Sequence, residues 1–418
     1  MAHPQEQAVR SEVRRWLSEV WDPERPLAEW REILVDSGWA APTWPADCYG
    51  RDLPDALGPV VALEMASAGA VGPAGGSGFV LAAPTLLRHG SDEIKKRLLR
   101  GILTGRERWC QLFSEPGSGS DLAGLTTRAV RDGDEWVVDG QKVWTTGARE
   151  AAYGMLLART NWDVPKHRGI TYFALPMEQP GVEVRPLRQM NGHASFNEVF
   201  LTEARVPAAN VVGQEGEGWA AALTTLAHER NLGANRNAPG TTAPAGRTAR
   251  EAAEEAAGYN RTYVWYPQRA GRPDLLAAQA RSGARAGDPV VRQRLADVEA
   301  RERTARWNVA RALAARAQGQ APGPEGSLAK LTGTDIARRS SELHAQLAGP
   351  AGMLTGPESA LGGVVAEIIV SVPAGSIAGG TDQVQKNILG ERILGLPREP
   401  AVDVDVPFRQ VRTNLTRG

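Results

Sequence analysis

The change of hydrophobic period along this 418-residue chain constrains its fold more than any other feature. From Val9 to Arg106 apolar residues recur at helical spacing, and the same period returns after Gly218. Between about Trp109 and Gly213 the pattern alternates instead, as in strands with one buried face. Helices, then strands, then helices indicate an α+β protein whose helices and sheet form separate layers.

A chain of this length is expected to hold more than one core, because single cores stop growing near about 250 to 300 residues. The segments that read as strands are Glu135–Val138, Tyr153–Ala158, Ile170–Leu175 and Gly181–Val184. Asp132-Gly133 and Asp139-Gly140 are typical of tight turns. We therefore expect a small antiparallel, barrel-like β-domain at 109–213, between an N-terminal helical domain at 1–108 and a C-terminal helical domain at 214–418.

Composition excludes several classes of protein. The 48 basic side chains cancel the 48 acidic ones, so neither a nucleic-acid footprint nor a polybasic membrane patch is expected. Charged residues interrupt the N-terminal segment, which argues against a signal peptide, and no run approaches the ~18 apolar residues of a membrane span. Cys48 and Cys110 have no metal-like or disulfide spacing, so we expect no metal site and a cytoplasmic setting.

The stretch that carries chemistry is Cys110–Asp121, followed by Lys142–Thr146. The first segment is a Gly-, Pro- and Ser-rich turn that presents amides and hydroxyls, and the second places an indole and a hydroxyl on a strand. Alone, such a turn is more often only a turn. A redox flavin, however, needs donors at its pyrimidine edge, a partner at N5 and aromatic surface beside the ring. The two segments together favour a flavin platform.

The chain resembles the acyl-CoA dehydrogenase family over essentially its whole length. The motifs that carry the resemblance, in the family's order, are Ser114–Asp121, Asp139–Trp144, Phe196–Phe200 with Arg205–Pro207, and Gly380–Gln385. The resemblance implies an N-terminal helical domain, a middle antiparallel β-barrel and a C-terminal helical bundle. It also implies bound FAD, oxidation of an acyl-CoA thioester to the trans-2-enoyl-CoA with hydride transfer to flavin N5, and an electron-transferring flavoprotein as acceptor.

Carried over position by position, the resemblance implies a set of cofactor-binding residues: Gln111, Phe113, Ser114, Ser120, Trp144, Thr146, Gln346, Thr381 and Gln383. Among these, Phe113 and Ser114 would line the flavin pyrimidine, and Thr146 would lie near N5. The implied substrate-binding residues are Ser120, Arg230, Gly379 and Gly380. A turn or cap hydroxyl remains the alternative interpretation of each serine and threonine, above all of Ser118.

The family reaction needs a carboxylate base, and the resemblance points to Glu229. In many relatives the base is the Glu of a Tyr-Glu-Gly-Thr sequence, but here the matching segment is Ala378–Thr381, in which Gly379 cannot abstract a proton. Isovaleryl-type and long-chain-type members place the base on the first helix after the β-domain, where Glu229 matches. The neighbouring His228 points about a hundred degrees away on a helix and is expected to be structural.

Two departures from the family pattern leave other functions open. The Arg-x-x-Phe-Gly segment that meets the flavin pyrophosphate has no clean match, and Pro350 removes an amide in the Gln346–Pro350 segment. Arg269, Arg272 or an unlike partner subunit would then supply the missing charge. We expect a dimer, a tetramer or a heterotetramer with an unlike acyl-CoA dehydrogenase chain, as in actinobacterial relatives that act on steroid side-chain CoA thioesters.

The alternative functions are a non-catalytic or half-site subunit of such a complex, and a flavin oxidase or monooxygenase on the same fold. Because Ala378 and Gly379 are both small, a bulky or branched acyl group is the substrate class we favour.

Overall fold

The computed structural model describes residues 4–235, 245–283, 285–317, 325–356, 358–398 and 403–411, together with residues 323 and 400. These residues form two compact units. The first unit takes in Met1–Leu187, Ser195–Thr262 and Ala401–Gly418, and the second takes in Arg188–Ala194 and Tyr263–Pro400. The predicted boundaries of the three domains stay a prediction.

The first unit begins with helices and returns to helices after its sheet. Its helices are α1 (Pro4–Val20), α2 (Leu27–Asp36), α3 (Gly58–Ser67), α4 (Ala83–His89), α5 (Asp92–Thr104), α6 (Gly218–Asn235) and α7 (Arg247–Asn260). Helix α5 shows why its sequence folds this way: the Ser91 hydroxyl caps its first turn, and Gly105 adopts φ +78° just after its end. Ile94, Leu98 and Ile102 form its buried stripe.

A seven-stranded curled sheet lies between these helices in the chain. Its strands are β1 (Trp109–Leu112), β2 (Arg128–Asp132), β3 (Glu135–Thr146), β4 (Tyr153–Arg159), β5 (Ile170–Pro176), β6 (Val182–Leu187) and β7 (Phe196–Pro207). The strand order is β1-β4-β2-β3-β7-β6, and β5 pairs with β4. Neighbours are antiparallel except that β1 pairs parallel with β4 and β2 meets β4 in one parallel bridge. The predicted α+β class is confirmed.

The four predicted strand segments lie in β3, β4, β5 and, except for Gly181, β6. Asp132 pairs with Glu135 across a two-residue turn, as the Asp-Gly pair predicts. The second turn prediction was wrong, because Gly140 lies inside β3 at a shift of register against β7. A side chain at Gly140 would collide with Thr127, so this glycine allows close approach and a bulge instead of a turn.

Three hydrophobic clusters hold the first unit together. One joins the helices α1, α2 and α3 around Trp30 and Leu34, which are both fully buried. A second lies on one face of the sheet with α4, α5 and α6, and a third lies among β1, β3, β4, β5 and β7 around Phe173. The sheet therefore packs apolar side chains on both faces, which explains why β4 and β5 are almost continuously buried.

The second unit is built from helices, and its buried core is smaller. Its helices are α8 (Tyr266–Arg269), α9 (Pro273–Ser282), α10 (Pro289–Ala317), α11 (Glu325–Ala348), α12 (Val364–Ser371), α13 (Pro373–Ile377) and α14 (Asp382–Arg392). One cluster gathers Leu276, Val291 and Leu343, and another gathers Ala337 and Ile368.

Many apolar side chains of the second unit remain exposed in the single chain. They include Met353, Leu354, Leu361, Ile369, Ile377, Ile393, Leu394 and Leu396.

One stretch of this unit, Leu361–Arg392, is long and apolar enough to cross a membrane by length and composition. The sequence analysis missed it because glycines, Pro373 and several charged residues interrupt the apolar run. Core helices of soluble proteins share this length and composition. Within the structure the stretch is divided into α12, α13 and α14, with Pro373 and the Gly379-Gly380 pair at the breaks.

Candidate functional site

The platform loop, Phe113–Asp121, leaves the end of β1 and folds back on itself. Glu115 and Ser118 exchange backbone hydrogen bonds of 2.9 and 3.1 Å, which closes a tight turn. The Ser118 hydroxyl donates to the Asp121 carbonyl, so the structural interpretation of this serine is the one the fold supports. Ser114 is half-buried and Ser120 is exposed. The loop therefore presents two serine hydroxyls at its surface and uses the third internally.

A buried ion pair joins the platform loop to β3. Lys142, fully buried, donates from Nζ to the Glu115 carboxylate at 2.9 Å and to the Phe113 carbonyl at 3.0 Å. Glu115 also accepts hydrogen bonds from the Thr126 amide, the Thr126 hydroxyl and the Thr127 amide. The carboxylate is therefore held by four donors, and the loop cannot shift along β3 without breaking several of these bonds.

The electrostatics of this pair follow from its burial. Burial alone would raise the pKa of Glu115, but the charge and hydrogen bond of Lys142, with the bonds from Thr127 and Thr126, lower it to about 2. Burial lowers the pKa of Lys142, and the Glu115 carboxylate opposes that change. Each charge therefore depends on the other, since an unpaired ion at this depth is costly.

The end of β3 holds an indole in an unusual backbone conformation. Trp144 has φ +64°, the left-handed region that bulky L-residues rarely occupy, and it lies where the pairing of β3 with β7 shifts between Lys142 and Thr145. Its side chain is 56% exposed and meets the Phe196 ring edge-on at 5.7 Å. A β-bulge thus aims an aromatic surface outward at a cost in backbone strain.

The platform loop and the bulge of β3 are adjacent. The Val143 amide donates to the Ser114 carbonyl at 2.9 Å, which sets Ser114 beside the residue that precedes Trp144. Thr146 is half-buried two residues later, and the buried Thr145 hydroxyl has no hydrogen-bond partner among the described residues. The structure therefore brings Ser114 to the end of β3 that carries Trp144 and Thr146, about thirty positions later in the sequence, as the sequence analysis expects.

Helix α6 carries Glu229 to the same part of the first unit. The Gln111 side-chain amide, on β1, donates to the Glu229 carboxylate at a long 3.4 Å. One residue, Thr225, fixes the helix there: its hydroxyl lies 2.8 Å from that of Thr85 and 3.2 Å from that of Tyr172. Gln111 directly precedes the residues that lead into the platform loop, so the carboxylate lies at the edge of the platform. The side chain of Arg230 falls outside the described residues.

Sequence analysis missed the group that braces the far end of the platform loop. Arg159, fully buried on β4, donates to the carbonyls of Ala123, Leu125 and Lys166, and its guanidinium lies 3.4 Å from the centre of the Phe408 ring. Burial lowers its pKa to about 10. A charged residue at the end of an otherwise apolar strand, as in Tyr153–Arg159, is the signal that could have revealed it.

Lys166 links this brace to the loop itself. Its ammonium lies 3.1 Å from the Asp121 carboxylate and 2.8 Å from that of Asp403. Burial opposes the charge, but the bonds to Asp403 and Asp121 raise its pKa overall. A segment close to the end of the numbered chain, containing Asp403 and Phe408, is thus joined to the platform loop, a pairing that no sequence spacing predicts.

The glycine segment, Ala378–Gln383, lies in the second unit and is open. Gly379 has φ +68°, and a side chain there would meet nothing within 4 Å. Gly380 has φ +83°, and its carbonyl and that of Gly379 accept from the side-chain amide of Gln385. Thr381 caps α14 by accepting from the Val384 amide at 3.2 Å, and Gln383 is exposed in the first turn. Thr381 thus has the structural role that was its alternative interpretation.

The residues expected near the pyrophosphate are engaged within the second unit. The Gln346 side chain accepts from Arg294 at 2.7 Å, and its carbonyl accepts from Arg285 at 2.9 Å. Arg272 pairs with Asp274 at 2.7 Å, whereas the Arg269 guanidinium lies over the Tyr266 ring at 5.1 Å. Of the two candidate replacements for the missing arginine, Arg272 is therefore committed to a carboxylate.

The first unit fits the ring half of a flavin. The observations that match are an exposed indole held by a bulge, a buried threonine hydroxyl with no partner among the described residues, and serine hydroxyls on a braced loop. These supply the aromatic face and the donors that a flavin ring needs. In the second unit, the side chains of Gln346 and Thr381 already have hydrogen-bond partners. The side chain of Gln383 has none among the described residues.

Comparison with protein-family models gives three matches along the chain. The acyl-CoA dehydrogenase N-terminal domain matches residues 3–106, the middle domain matches 110–204 and the C-terminal domain matches 274–394. The middle-domain match covers both the platform loop and β3.

Individual relatives are similar over most of this chain. It is 35% identical over 376 residues to the acyl-CoA dehydrogenase IpdE1 of Mycobacterium tuberculosis, covering 88% of each. It is 36% identical over 390 residues to acyl-CoA dehydrogenase FadE34 of the same organism, covering 93% of this chain and 49% of FadE34. The chain thus spans about half of FadE34 and most of IpdE1.

Two solved structures are also similar. The Tcur3481-Tcur3483 steroid ACAD has a TM-score of 0.64 and 27% identity, covering 96% of this chain and 99% of that one. The ChsE4-ChsE5 complex from Mycobacterium tuberculosis has a TM-score of 0.61 and 29% identity, covering 95% and 99%.

Proposed function

This chain belongs to the acyl-CoA dehydrogenase family, whose members are flavoprotein oxidoreductases acting on acyl-CoA, and from that membership we propose its reaction. The proposed activity is FAD-dependent oxidation of an acyl-CoA thioester to the trans-2-enoyl-CoA, with Glu229 as the base that removes the α proton. The observation that carries the assignment of the base is the 3.4 Å approach of the Glu229 carboxylate to Gln111, at the edge of the flavin platform.

Glu229 suits this role by position and by chemistry. A general base has to lie within hydrogen-bond reach of the proton it takes, and contacts of catalytic groups are often long before substrate binds. The long bond to Gln111 holds the carboxylate at the edge of the platform. Gly379 cannot compete for the proton, because it has no side chain.

The other site residues of the first unit would orient the flavin and shield it. When bound, the flavin supplies the acceptor for the β hydride at N5. Trp144 offers a face on which a ring can stack, and the Ser114 hydroxyl and Thr146 offer hydrogen bonds at two of its edges. The buried Glu115–Lys142 pair keeps these groups in register. Ser120, exposed at the loop surface, is the residue we assign to contact both cofactor and substrate.

For the pyrophosphate end of FAD we propose help from another subunit. A diphosphate needs charge or amide partners. Arg272 is paired with Asp274, and Gln346 is held by Arg294. Arg269, which lies over the Tyr266 ring, remains the candidate within this chain. In the family pattern, Thr381 and Gln383 lie nearer the flavin ring.

The substrate class we propose is a bulky or branched acyl-CoA. A side chain at Gly379 would meet nothing within 4 Å, so the position that carries the base in many relatives is empty space here. Substrate contacts from Gly379, Gly380 and Arg230 follow from the family pattern. A similar solved structure is described as a steroid ACAD, which supports a large acyl group.

We further propose that the protein works in the cytoplasm as an oligomer and passes electrons to an electron-transferring flavoprotein. Both cysteines are free and buried, which suits a reducing compartment. The exposed apolar side chains of the second unit, such as Met353, Leu354 and Leu394, favour a partner subunit, either a second copy or an unlike acyl-CoA dehydrogenase chain.

A second candidate function is that of a half-site subunit. It is favoured by the engagement of Gln346 and Arg272 with other side chains, because a chain that holds the flavin ring without its pyrophosphate would complete a partner's site. In that case the chain alone would purify colourless and gain FAD only when co-expressed with its partner.

The test begins with the chain purified alone, its FAD content, and anaerobic bleaching of the flavin across a panel of CoA thioesters. Glu229→Gln should keep its flavin and lose bleaching by about 100-fold or more, the size expected for a general base. His228→Gln is the matched control on the same turn of α6, and it should bleach at the original rate. An unchanged rate in Glu229→Gln would remove this residue from the mechanism.

Two other outcomes distinguish the alternatives. Bleaching by straight short-chain thioesters as fast as by bulky ones would contradict the substrate class while leaving the reaction in place. Oxygen consumption by the substrate-reduced enzyme without any electron carrier would identify an oxidase or monooxygenase on this fold instead of a dehydrogenase.

A further inference from the structure

The proposed reaction uses Glu115 and Lys142, two buried charges of the first unit, only to hold other groups in place. Both side chains are almost completely enclosed, and their closest atoms lie 2.9 Å apart. A buried pair of this kind contributes little net stability compared with a well-packed apolar pair, because desolvation offsets the attraction. Its position, between the platform loop and the strand that carries Trp144, is therefore the feature to explain.

Lys142 does more than neutralise Glu115. Its ammonium also donates to the Phe113 carbonyl at 3.0 Å. That carbonyl belongs to the peptide group whose N–H is the amide of Ser114. A cation at a carbonyl oxygen draws electron density through the peptide group, so the amide at the other end becomes a stronger donor. Neither the Ser114 amide nor its hydroxyl donates a hydrogen bond to another described residue.

The same peptide is fixed in place from its other side. The Ser114 carbonyl accepts from the Val143 amide at 2.9 Å, and Val143 follows Lys142 in β3. The two adjacent residues of β3 thus hold both the Phe113 and the Ser114 carbonyls. Glu115, held in turn by Thr126 and Thr127, keeps the ammonium from moving away from the Phe113 oxygen.

We propose that Lys142, held by Glu115, is a positioning residue that polarises the Phe113–Ser114 peptide and thereby strengthens the Ser114 amide as a donor to the pyrimidine edge of a bound flavin. This inference rests on the proposed function, because it requires Phe113 and Ser114 to line the flavin. Two-electron reduction adds negative charge to that edge. A stronger donor there binds reduced flavin better than oxidised flavin and raises the flavin's potential.

The expected size is that of one charge-assisted hydrogen bond. Weakening it should change the ratio of affinities for reduced and oxidised flavin by about tenfold, which lowers the two-electron potential by about 30 mV. Affinity for the oxidised cofactor should change less, because the oxidised ring carries no such charge. A purely structural role for the pair would weaken both affinities together and leave their ratio unchanged.

The test variant is Glu115→Gln with Lys142→Met, which removes both charges at once and so leaves no unpaired ion. The control is Thr126→Val, which removes the 2.9 Å bond from the Thr126 hydroxyl to Glu115 but leaves the Lys142 contacts intact. For each protein the midpoint potential of the bound flavin, the dissociation constant of oxidised FAD and the urea midpoint are measured. The double variant should show the lowered potential, and the control should show only a small loss of stability.

An unchanged potential in a folded, flavin-loaded double variant would overturn the inference and leave the proposed function standing. A native chain that holds no FAD, either alone or with a partner subunit, would overturn the proposed function and the inference with it. If the double variant does not fold, Glu115→Gln alone is measured. It keeps an oxygen for Thr126 and Thr127 while removing the charge that holds Lys142, and its potential should fall in the same direction by a smaller amount.

Discussion

The platform loop of the first unit and the glycine segment of the second unit are built in opposite ways. The platform loop is held by a buried ion pair, by Arg159 and by backbone bonds to β3. The glycine segment has two residues at positive φ, open space beside Gly379 and a single cap at Thr381. The platform loop is therefore fixed by several buried contacts, whereas few contacts fix the glycine segment.

The largest expected effect tests the rigidity of the platform. Lys142→Met alone should destabilise folding by about 3 to 5 kcal/mol, because it leaves the Glu115 carboxylate buried without its counter-ion. The double variant with Glu115→Gln should recover most of that loss. Urea unfolding of the two proteins measures the difference. Equal destabilisation by both would mean that packing, and not charge, dominates at this position.

Acid should destabilise the platform through protonation of Glu115. The pKa of Glu115 is about 2 in the folded chain against an ordinary 4.5, so its stabilising contribution is complete above pH 4.5 and is lost as the pH falls toward 2. The contribution is about 3 kcal/mol at most. The free energy of unfolding of Glu115→Gln should therefore fall less steeply over this range than that of the native chain. Parallel pH profiles would contradict the assignment.

Trp144 offers a test that separates function from stability. Trp144→Asn should weaken FAD binding by about tenfold, since a ring contact is worth about 0.5 to 1.5 kcal/mol. Folding stability should change by no more than about 1 kcal/mol, because Asn accepts a positive φ and the indole is largely exposed. Trp307→Asn, at an even more exposed tryptophan on α10, is the control and should leave FAD affinity unchanged.

A smaller effect is expected at the cap of α14. Thr381→Ala should cost about 1 kcal/mol of stability through loss of the bond from the Val384 amide, whereas Thr381→Ser should keep it. Gln383→Ala, whose side chain is exposed, should leave the melting temperature unchanged. If Thr381→Ser lost as much stability as Thr381→Ala, the methyl group and not the hydroxyl would be the stabilising group there.

The smallest effect has a sign that depends only on backbone conformation. Gly379→Ala should destabilise by about 1 kcal/mol although no atom lies near the new methyl, because φ is +68°. Gly333→Ala, in the interior of α11 and also without near neighbours, should stabilise by about 0.5 to 1 kcal/mol, since helical φ suits alanine better than glycine. Melting temperatures of the two variants should move in opposite directions.

The sequence predicted the strands and the platform loop better than the contacts that hold them in place. Strands β3 to β6 and the proximity of Ser114 to Trp144 follow from alternating hydrophobicity and from motif order. The parallel pairing of β1 with β4 does not, because it depends on which edge the first strand meets. Asp139-Gly140 resembles a turn, but the nearby Thr127 backbone makes it a bulge.

Local pattern determined which segments are helical or extended, and the motif residues identified the chain as an acyl-CoA dehydrogenase. Those properties depend on neighbouring residues along the chain, so they can be inferred without a three-dimensional structure. Tertiary structure decided that Lys142 reaches the Phe113 carbonyl, that Gln111 meets Glu229 and that Lys166 joins Asp121 to Asp403. Burial and distance between remote residues set the energies of these contacts, and neither quantity exists until the chain has folded.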